Sequence, residues 1–310
     1  MTANPGFRNY LHDKFNFYNR ISIDAYKTYI EDLRKIGAIE IEHAGRNLRY
    51  DKQRKRATEA IDAIHDQGMD AILYTGAFGT EDLTKNPGLE QYAQRNINGD
   101  VLGYGVLNLK TAMMCPVSDY VEKITIPQIL STLEWADYDG IFFDIPWVLK
   151  NGCYCNNCED IELSSREKNQ VIVRQGLEKI VQAIKEKHPE IRISVNASAP
   201  TINNNRNTGA NIDNLTGLFD EYVTEWNPYR WGQTTKVIER CIKAAKEVTS
   251  SKIYHATTCT DGSGKIYSEN KLTELFKAII SSGATPRLGI RFPKEQLEII
   301  KIALTNSETL

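Results

Sequence analysis

The sequence predicts an α/β chain with the alternating pattern of a (β/α)8 barrel. Eight short runs favour β-strands, and an amphipathic stretch follows each of them. The alternative topology is an open, doubly wound sheet. A nucleotide-binding sheet of that kind has a glycine-rich fingerprint after a strand, and none follows a predicted strand in this sequence. The predicted strands are Lys14–Tyr18, Ala38–His43, Asp70–Tyr74, Gly140–Asp144, Arg192–Asn196, Glu221–Glu225, Lys252–His255 and Pro286–Ile290.

Helical patterns lie between these strands and after the last one. In the last pattern Leu297, Ile300 and Leu304 recur at intervals of three and four residues, which indicates one buried face. The predicted helices cover residues 22–35, 54–67, 121–134, 163–188, 211–217 (weakly), 233–249, 269–281 and 294–305.

Two of the intervals between strands are much longer than one βα unit requires. They predict insertions at about 75–118 and 146–162, after the third and fourth strands, on the face where barrel enzymes carry out chemistry. No linker or shift in composition divides the chain, so we expect a single TIM-barrel domain over residues 1–310.

Composition excludes several functional classes. The 310 residues include 41% apolar and 25% charged side chains, as in soluble globular proteins. With 38 basic and 40 acidic residues, the net charge of −2 offers neither a basic face for nucleic acid nor a polybasic membrane anchor. Apolar runs are far shorter than the ~18 residues of a membrane span, and no secretory signal is visible, so we expect a cytoplasmic protein.

Polar and aromatic residues cluster at the predicted carboxyl ends of the strands. In a barrel these ends share one mouth, where charged side chains and aromatic rings suit the hydroxyls and C–H faces of a sugar. We therefore expect a carbohydrate substrate. The candidate sugar-binding residues are His43, Tyr74, Trp147, Asn196, Trp226, His255 and Arg291.

Asp144 and Glu225 are the candidate catalytic pair. Asp144 abruptly ends the apolar run Ile141-Phe142-Phe143, where a carboxylate is costly unless it is paired or functional. Structural alternatives are a turn cap for Asp144 and an ion pair with Arg230 or Arg291 for Glu225. A glycosidase needs one carboxylate that attacks and one carboxylic acid that donates a proton. Their separation is about 5–5.5 Å in retaining enzymes and about 6.5–9.5 Å in inverting ones, and the sequence leaves this choice open.

Three cysteines in Cys153-Tyr154-Cys155-Asn156-Asn157-Cys158, with Cys115 at the end of the preceding insertion, predict a metal site. Four thiolates form a closed structural zinc site, which would join the two insertions. The alternative is that the clustered thiols are free. Cys241 lies in a helical pattern and is expected in the core, and Cys259 follows the seventh strand.

These residues also resemble known families. The resemblance to glycosyl hydrolases related to the family 29 α-L-fucosidases covers most of the barrel and rests on Met114-Cys115-Pro116, Asp139-Gly140-Ile141-Phe142-Phe143-Asp144 and the cysteine loop. It implies that Asp144 is the nucleophile and that His43 binds sugar hydroxyls. The acid/base position varies in that family, so Glu225 is inferred from this sequence alone.

The four cysteines are also similar to the zinc site of family 42 β-galactosidases. Those enzymes use an Asn-Glu pair at the fourth strand and a Glu at the seventh, where this sequence has Asp144 and His255-Ala256-Thr257. The metal site therefore resembles that family and the catalytic pair does not.

Together these observations predict a retaining glycoside hydrolase acting on a small glycoside or oligosaccharide, with structural zinc. Two alternatives remain open: a carbohydrate-binding barrel without turnover, and a hydrolase with water on the zinc. The sequence does not decide the sugar, the anomer or whether the chain forms a homo-oligomer.

Overall fold

In the computed structural model, eight parallel strands form a closed barrel. The structure describes residues 6–11, 22–44, 51–103, 111–148, 152–200, 208–225, 234–260, 265–289 and 294–307. The barrel strands are β1 (Phe7–Leu11), β2 (Ala38–Ala44), β3 (Asp70–Gly76), β6 (Gly140–Asp144), β7 (Arg192–Asn196), β8 (Glu221–Glu225), β9 (Lys252–Thr257) and β10 (Thr285–Gly289). The order around the barrel is β1-β10-β9-β8-β7-β6-β3-β2, which confirms the predicted fold class.

Helices follow the strands and cover the barrel. They are α1 (Ile23–Lys35), α2 (Asp51–His65), α3 (Ile126–Trp135), α4 (Ser165–Lys187), α5 (Ile212–Leu215), α6 (Thr235–Val248), α7 (Glu269–Ser281) and α8 (Lys294–Ser307). A π-helical turn, Val121–Thr125, precedes α3. In the described ranges, no helix combines the length and apolar character that crossing a membrane requires.

The first strand corrects the sequence prediction. Seven predicted strands overlap barrel strands, but the first barrel strand is Phe7–Leu11, upstream of the predicted Lys14–Tyr18, which falls outside the described residues. The reason is that β1 carries Arg8 and Asn9, both fully buried, so it lacks the apolar pattern of a buried strand.

The insertion after β3 has secondary structure of its own. Strands β4 (Thr80–Asp82) and β5 (Thr111–Met113) pair antiparallel, and a 3-10 helix, Pro87–Tyr92, lies between them. The loop after β6 connects to this insertion, because the Tyr154 backbone N–H donates to the Arg95 carbonyl at 2.8 Å. The two insertions are therefore one connected layer beside β6.

Side chains alternate between the barrel interior and the helix layer. Ile72, Phe142, Val223, Tyr254 and Ala256 form an interior cluster of their own, and their neighbours in sequence pack outward. At the amino-terminal end of the barrel the interior is charged. There Arg8 donates to Glu40 and, at 2.5 Å, to Glu221, and both carboxylates also accept from Arg192.

Candidate active site and cysteine cluster

Asp144 lies at the carboxyl end of β6 and accepts two side-chain hydrogen bonds. The Tyr74 hydroxyl donates to Oδ2, and the Asn196 amide donates to Oδ1 at 2.9 Å. Tyr74 packs its ring 5.6 Å from that of Phe142 in the barrel interior. Burial, reinforced by the charge of Asp144, raises the pKa of Tyr74 well above its ordinary value. The phenol therefore keeps its proton and remains a donor to Asp144.

Asn196 joins the two predicted catalytic residues. Its amide nitrogen donates to Asp144 Oδ1 and to Glu225 Oε2, both at 2.9 Å, so these oxygens are at most about 5.8 Å apart. Because the two hydrogens of an amide group are about 120° apart, the expected separation of the oxygens is about 5 Å. The ends of the fourth and sixth barrel strands thus converge on one location. Carboxyl groups with oxygens this close are compatible with the separation in retaining glycosidases, about 5–5.5 Å.

An ion pair that sequence reasoning missed lies beside these carboxylates. Arg287 on β10 donates to both oxygens of Glu42 on β2, at 2.7 and 2.5 Å, and its guanidinium carbon lies 4.5 Å from the centre of the Phe142 ring. Burial lowers the pKa of Arg287, but Glu42, followed by Asp144 and Glu225, outweighs it and raises the pKa. The guanidinium thus faces three carboxylates. In Ala38–His43 the alternation of glutamate with isoleucine is the sequence signal that could have located Glu42 inside the barrel.

The backbone after Asp144 is strained. Ile145 has a φ of 52°, the single positive value among the described non-glycine residues. A β-branched residue rarely adopts this conformation, and such outliers concentrate at functional sites. Trp147, three residues after Asp144, is half-buried on the same loop.

His43 is placed differently from the sequence expectation. On β2 it alternates with Glu42, so it faces the helix layer, where its Nδ1 lies 3.2 Å from the Tyr138 hydroxyl and its ring contacts Tyr26 edge-on. It is 2% exposed, and burial lowers its pKa to about 3. This placement supports a structural role for a neutral imidazole rather than the expected sugar binding.

His255 repeats this arrangement on β9. Its neighbours Tyr254 and Ala256 lie in the interior cluster, so the imidazole points outward, with Nδ1 2.8 Å from Thr224 Oγ1. It is fully buried, and burial lowers its pKa to about 3. The strand backbone therefore separates both histidines from Asp144. The remaining two candidates, Trp226 and Arg291, lie outside the described residues.

The predicted clustering of Cys115, Cys153, Cys155 and Cys158 is confirmed. All four are buried, and their sulfur atoms lie within 4.8 Å of one another, with Cys115 and Cys158 3.5 Å apart. Hydrogen bonds from the other three thiols lower the pKa of Cys155, which favours a thiolate there. Four buried, converging sulfurs fit a metal ion held by thiolates, as structural zinc is.

The cluster connects the two insertions. Cys115 follows β5, and its backbone N–H donates to the Tyr92 carbonyl at 2.8 Å. The other three cysteines lie on the loop between β6 and α4, where the Cys158 N–H donates to the Cys155 carbonyl at 2.7 Å. A metal at this position would therefore cross-link the layer beside β6, the strand that carries Asp144. Cys241 packs in the helical core, as expected, and Cys259 is also buried.

No family model and no curated protein matches this sequence. Solved structures do resemble the fold. The α-L-fucosidase isoenzyme 2 from Paenibacillus thiaminolyticus aligns with a TM-score of 0.72 and 17% identity, over 98% of this chain and 49% of that one. The chain thus spans about half the length of that fucosidase.

Two further solved structures also resemble this fold. The PgaB (BpsB) glycoside hydrolase domain from Bordetella bronchiseptica has a TM-score of 0.68 and 12% identity, over 95% of this chain and 97% of that one. The β-galactosidase from the psychrophilic Marinomonas ef1 has a TM-score of 0.65 and 11% identity, over 98% of this chain and 58% of that one. At such identities the likeness establishes the barrel fold alone.

Proposed function

We propose that this protein is a glycoside hydrolase that cleaves a small glycoside or oligosaccharide with retention of anomeric configuration. The observation that carries the proposal is the Asn196 amide, which donates to both Asp144 and Glu225 at 2.9 Å. The names of the solved structures that share the fold, a fucosidase, a glycoside hydrolase domain and a galactosidase, add support.

We assign Asp144 the role of nucleophile and Glu225 that of acid/base. Asp144 accepts hydrogen bonds from Tyr74 and Asn196, which fix the position of its carboxyl group at the end of β6, as a nucleophile requires. Glu225 is exposed at the end of β8. In this proposal Glu225 is the acid/base, which must hold a proton until the departing glycosidic oxygen takes it.

The reaction then has two steps. Asp144 attacks the anomeric carbon while Glu225 gives its proton to the departing glycosidic oxygen, which leaves a glycosyl ester on Asp144. Glu225, now ionised, takes a proton from a water molecule whose oxygen attacks the anomeric carbon and releases Asp144. In this proposal Trp147, Trp226 and Arg291 contact the sugar.

We further propose that the four cysteines hold structural zinc. Four thiolates leave no coordination position for a water molecule, which favours a structural role over a zinc-dependent hydrolase. The role assigned to the metal is to fix the two insertions beside Asp144. Removing it should lower the melting temperature before it lowers turnover, whereas metal-bound water as the nucleophile predicts immediate loss of turnover without unfolding.

A panel of aryl glycosides assayed with wild type, Asp144→Asn and Glu225→Gln tests the catalytic proposal. We expect Asp144→Asn to lower kcat by about a thousandfold or more. Glu225→Gln should lower it by about 10²–10⁴-fold and remove the alkaline limb of the pH–rate profile, since the general acid is lost. Asp119→Asn, an exposed aspartate paired with Lys123, is the matched control and should leave kcat unchanged.

Product stereochemistry and trapping decide the mechanism. Proton NMR should show the retained anomer first, and a fluorosugar should label Asp144. Inversion, or a label on another residue, would refute the assigned mechanism. Sugar affinity with no hydrolysis by wild type across the panel would favour the alternative, a carbohydrate-binding barrel without turnover.

A further inference from the structure

Lys168 is a buried cation next to the cysteine cluster. It is 3% exposed and is the fourth residue of α4, which begins after the N-cap Ser164. Lysine is almost never buried unless paired, and a positive charge in the first turn of a helix is disfavoured by the helix dipole. Two unfavourable terms therefore act on this ammonium group, and a compensating negative charge is required.

The contacts of Lys168 within the described chain provide no carboxylate. Its Nζ donates to the Cys158 carbonyl at 3.0 Å and lies 4.4 Å from the centre of the Tyr154 ring. Both partners belong to the cysteine loop, and neither carries a full charge. From the Cys158 carbonyl oxygen, bond lengths keep the sulfur of that residue within about 8 Å of the ammonium. The cysteine cluster, if it is in the thiolate form, is thus close enough to supply that negative charge.

We propose that Lys168 is the charge partner of the metal-loaded cluster of Cys115, Cys153, Cys155 and Cys158, an inference that rests on the proposed metal site. A divalent cation with four thiolates has a net charge of −2, which is costly to bury. An ammonium held beside the cluster by a carbonyl and an aromatic ring offsets part of that charge. The metal and the buried lysine therefore stabilise each other.

Metal retention is the test, because it does not depend on catalysis. We would measure zinc content by mass spectrometry, and zinc release to a chelator, for wild type, Lys168→Gln and Lys168→Arg. Glutamine can still donate to the Cys158 carbonyl but is neutral, whereas arginine keeps the charge. Groups around metal ligands typically contribute 10–100-fold to affinity, so Lys168→Gln should weaken zinc binding by about that factor and Lys168→Arg by much less.

Lys179→Gln is the matched control. It makes the same change on the same helix at an exposed lysine that contacts Glu122 at 2.6 Å, and its zinc affinity should equal that of wild type. Equal zinc affinity in Lys168→Gln and Lys179→Gln would overturn the charge-partner role while leaving the metal site intact. A wild-type chain that binds no zinc when refolded with it would overturn the metal proposal as well.

A double variant separates charge from local packing, and Lys168→Met, also neutral, takes the place of Lys168→Gln if that variant fails to fold. Cys153→His replaces one thiolate with a neutral ligand, so the loaded cluster has a net charge of −1. The effect of Lys168→Gln on zinc affinity should then be smaller in the Cys153→His background than in wild type. An undiminished effect would show that Lys168 acts through local packing and not through charge.

Discussion

Replacing Arg8 with methionine tests the buried ion network at the amino-terminal end of the barrel. Arg8 is fully buried on β1, where it donates to Glu40, to Glu221 at 2.5 Å and to Ser194 at 3.1 Å. Its guanidinium carbon also lies 3.8 Å from the centre of the Tyr254 ring. Methionine fills similar space without charge, so the two carboxylates lose their central partner.

The structure gives the size of the effect. Burial by itself raises the pKa of Glu40, but Arg8, followed by Arg192, outweighs burial and lowers it from 4.5 to about 2. At 1.36 kcal/mol per pKa unit this shift corresponds to about 3 kcal/mol, to which Arg192 and Lys252 also contribute. Removing one partner of a buried ion pair typically costs about 3–5 kcal/mol. For a chain of 310 residues, this predicts a fall in melting temperature of about 5–8 °C.

The loss should also depend on pH. Because the pKa of Glu40 is lower in the folded state than in the unfolded state, its contribution is complete above about pH 4.5 and disappears as pH falls towards 2. Urea unfolding of wild type and Arg8→Met at pH 7 and at pH 3.5 measures this. The difference in unfolding free energy between the two proteins should be smaller at the lower pH.

Two further variants separate charge from packing. In Arg8→Met/Glu40→Gln the unpaired carboxylate is gone, so part of the lost stability should return. Arg192→Met, at a residue 32% exposed that contacts the same two glutamates, should cost less than Arg8→Met. A cost below about 1 kcal/mol for Arg8→Met, or no recovery in the double variant, would refute this account of the barrel interior.

Three other predictions concern the site and its surroundings. Burial lowers the pKa of His255 from 6.5 to about 3, so the wild-type protein loses stability as pH falls below 6.5. His255→Gln should reduce the loss between pH 8 and pH 5 by about 2 kcal/mol, measured from unfolding curves at both pH values. His43→Gln should show the same effect. Tyr74→Phe removes the hydrogen bond to Asp144. Loss of one hydrogen bond to a charged group should lower kcat by about 10–100-fold, with little change in KM. Asn196→Ala should lower kcat similarly and change the limbs of the pH–rate profile, because the bridge to Asp144 is lost; unchanged limbs would argue against that bridge.

Sequence reasoning located most of the barrel because strands such as Gly140–Asp144 bury apolar side chains that alternation reveals. It failed at β1 because Arg8 is a charged interior residue. Its partners, Glu40 and Glu221, come from strands 32 and 213 residues away in the sequence, so no local pattern identifies them. Aromatic residues in Lys14–Tyr18 gave a stronger strand signal than the strand that closes the barrel.

The candidate site was only partly predictable for a related reason. Asp144, Asn196 and Glu225 are found together because each ends a strand on its inward face. His43 and His255 also lie at strand ends, and the sequence therefore predicted them to bind sugar. Each is adjacent in its strand to an inward-facing residue, so its side chain faces the helices. The alternation of His43 with Glu42 and of His255 with Tyr254 could have predicted that both histidines point out of the barrel.

Charge balance differs between the two ends of the barrel interior. At the amino-terminal end, within the described chain, three cations face three carboxylates, and Arg8 also lies 3.7 Å from Glu42. These groups are Arg8, Arg192, Lys252, Glu40, Asp70 and Glu221. These six groups therefore balance in charge, and Arg8 connects them to Glu42. We expect them to have the structural role that this face has in barrel enzymes.

At the carboxyl end the balance is negative. Among the described residues, Arg287 faces Glu42, Asp144 and Glu225, so full ionisation of these four groups gives them a net charge of −2. In the proposed mechanism, a proton on Glu225 reduces this charge to −1, and its transfer to the leaving group restores −2 as positive charge develops on the sugar ring. The proposal therefore requires these groups to stabilise an oxocarbenium-like transition state more than the neutral ground state. If the proposal is right, a variant whose carboxyl-end groups balance in charge should lose this preference for the transition state.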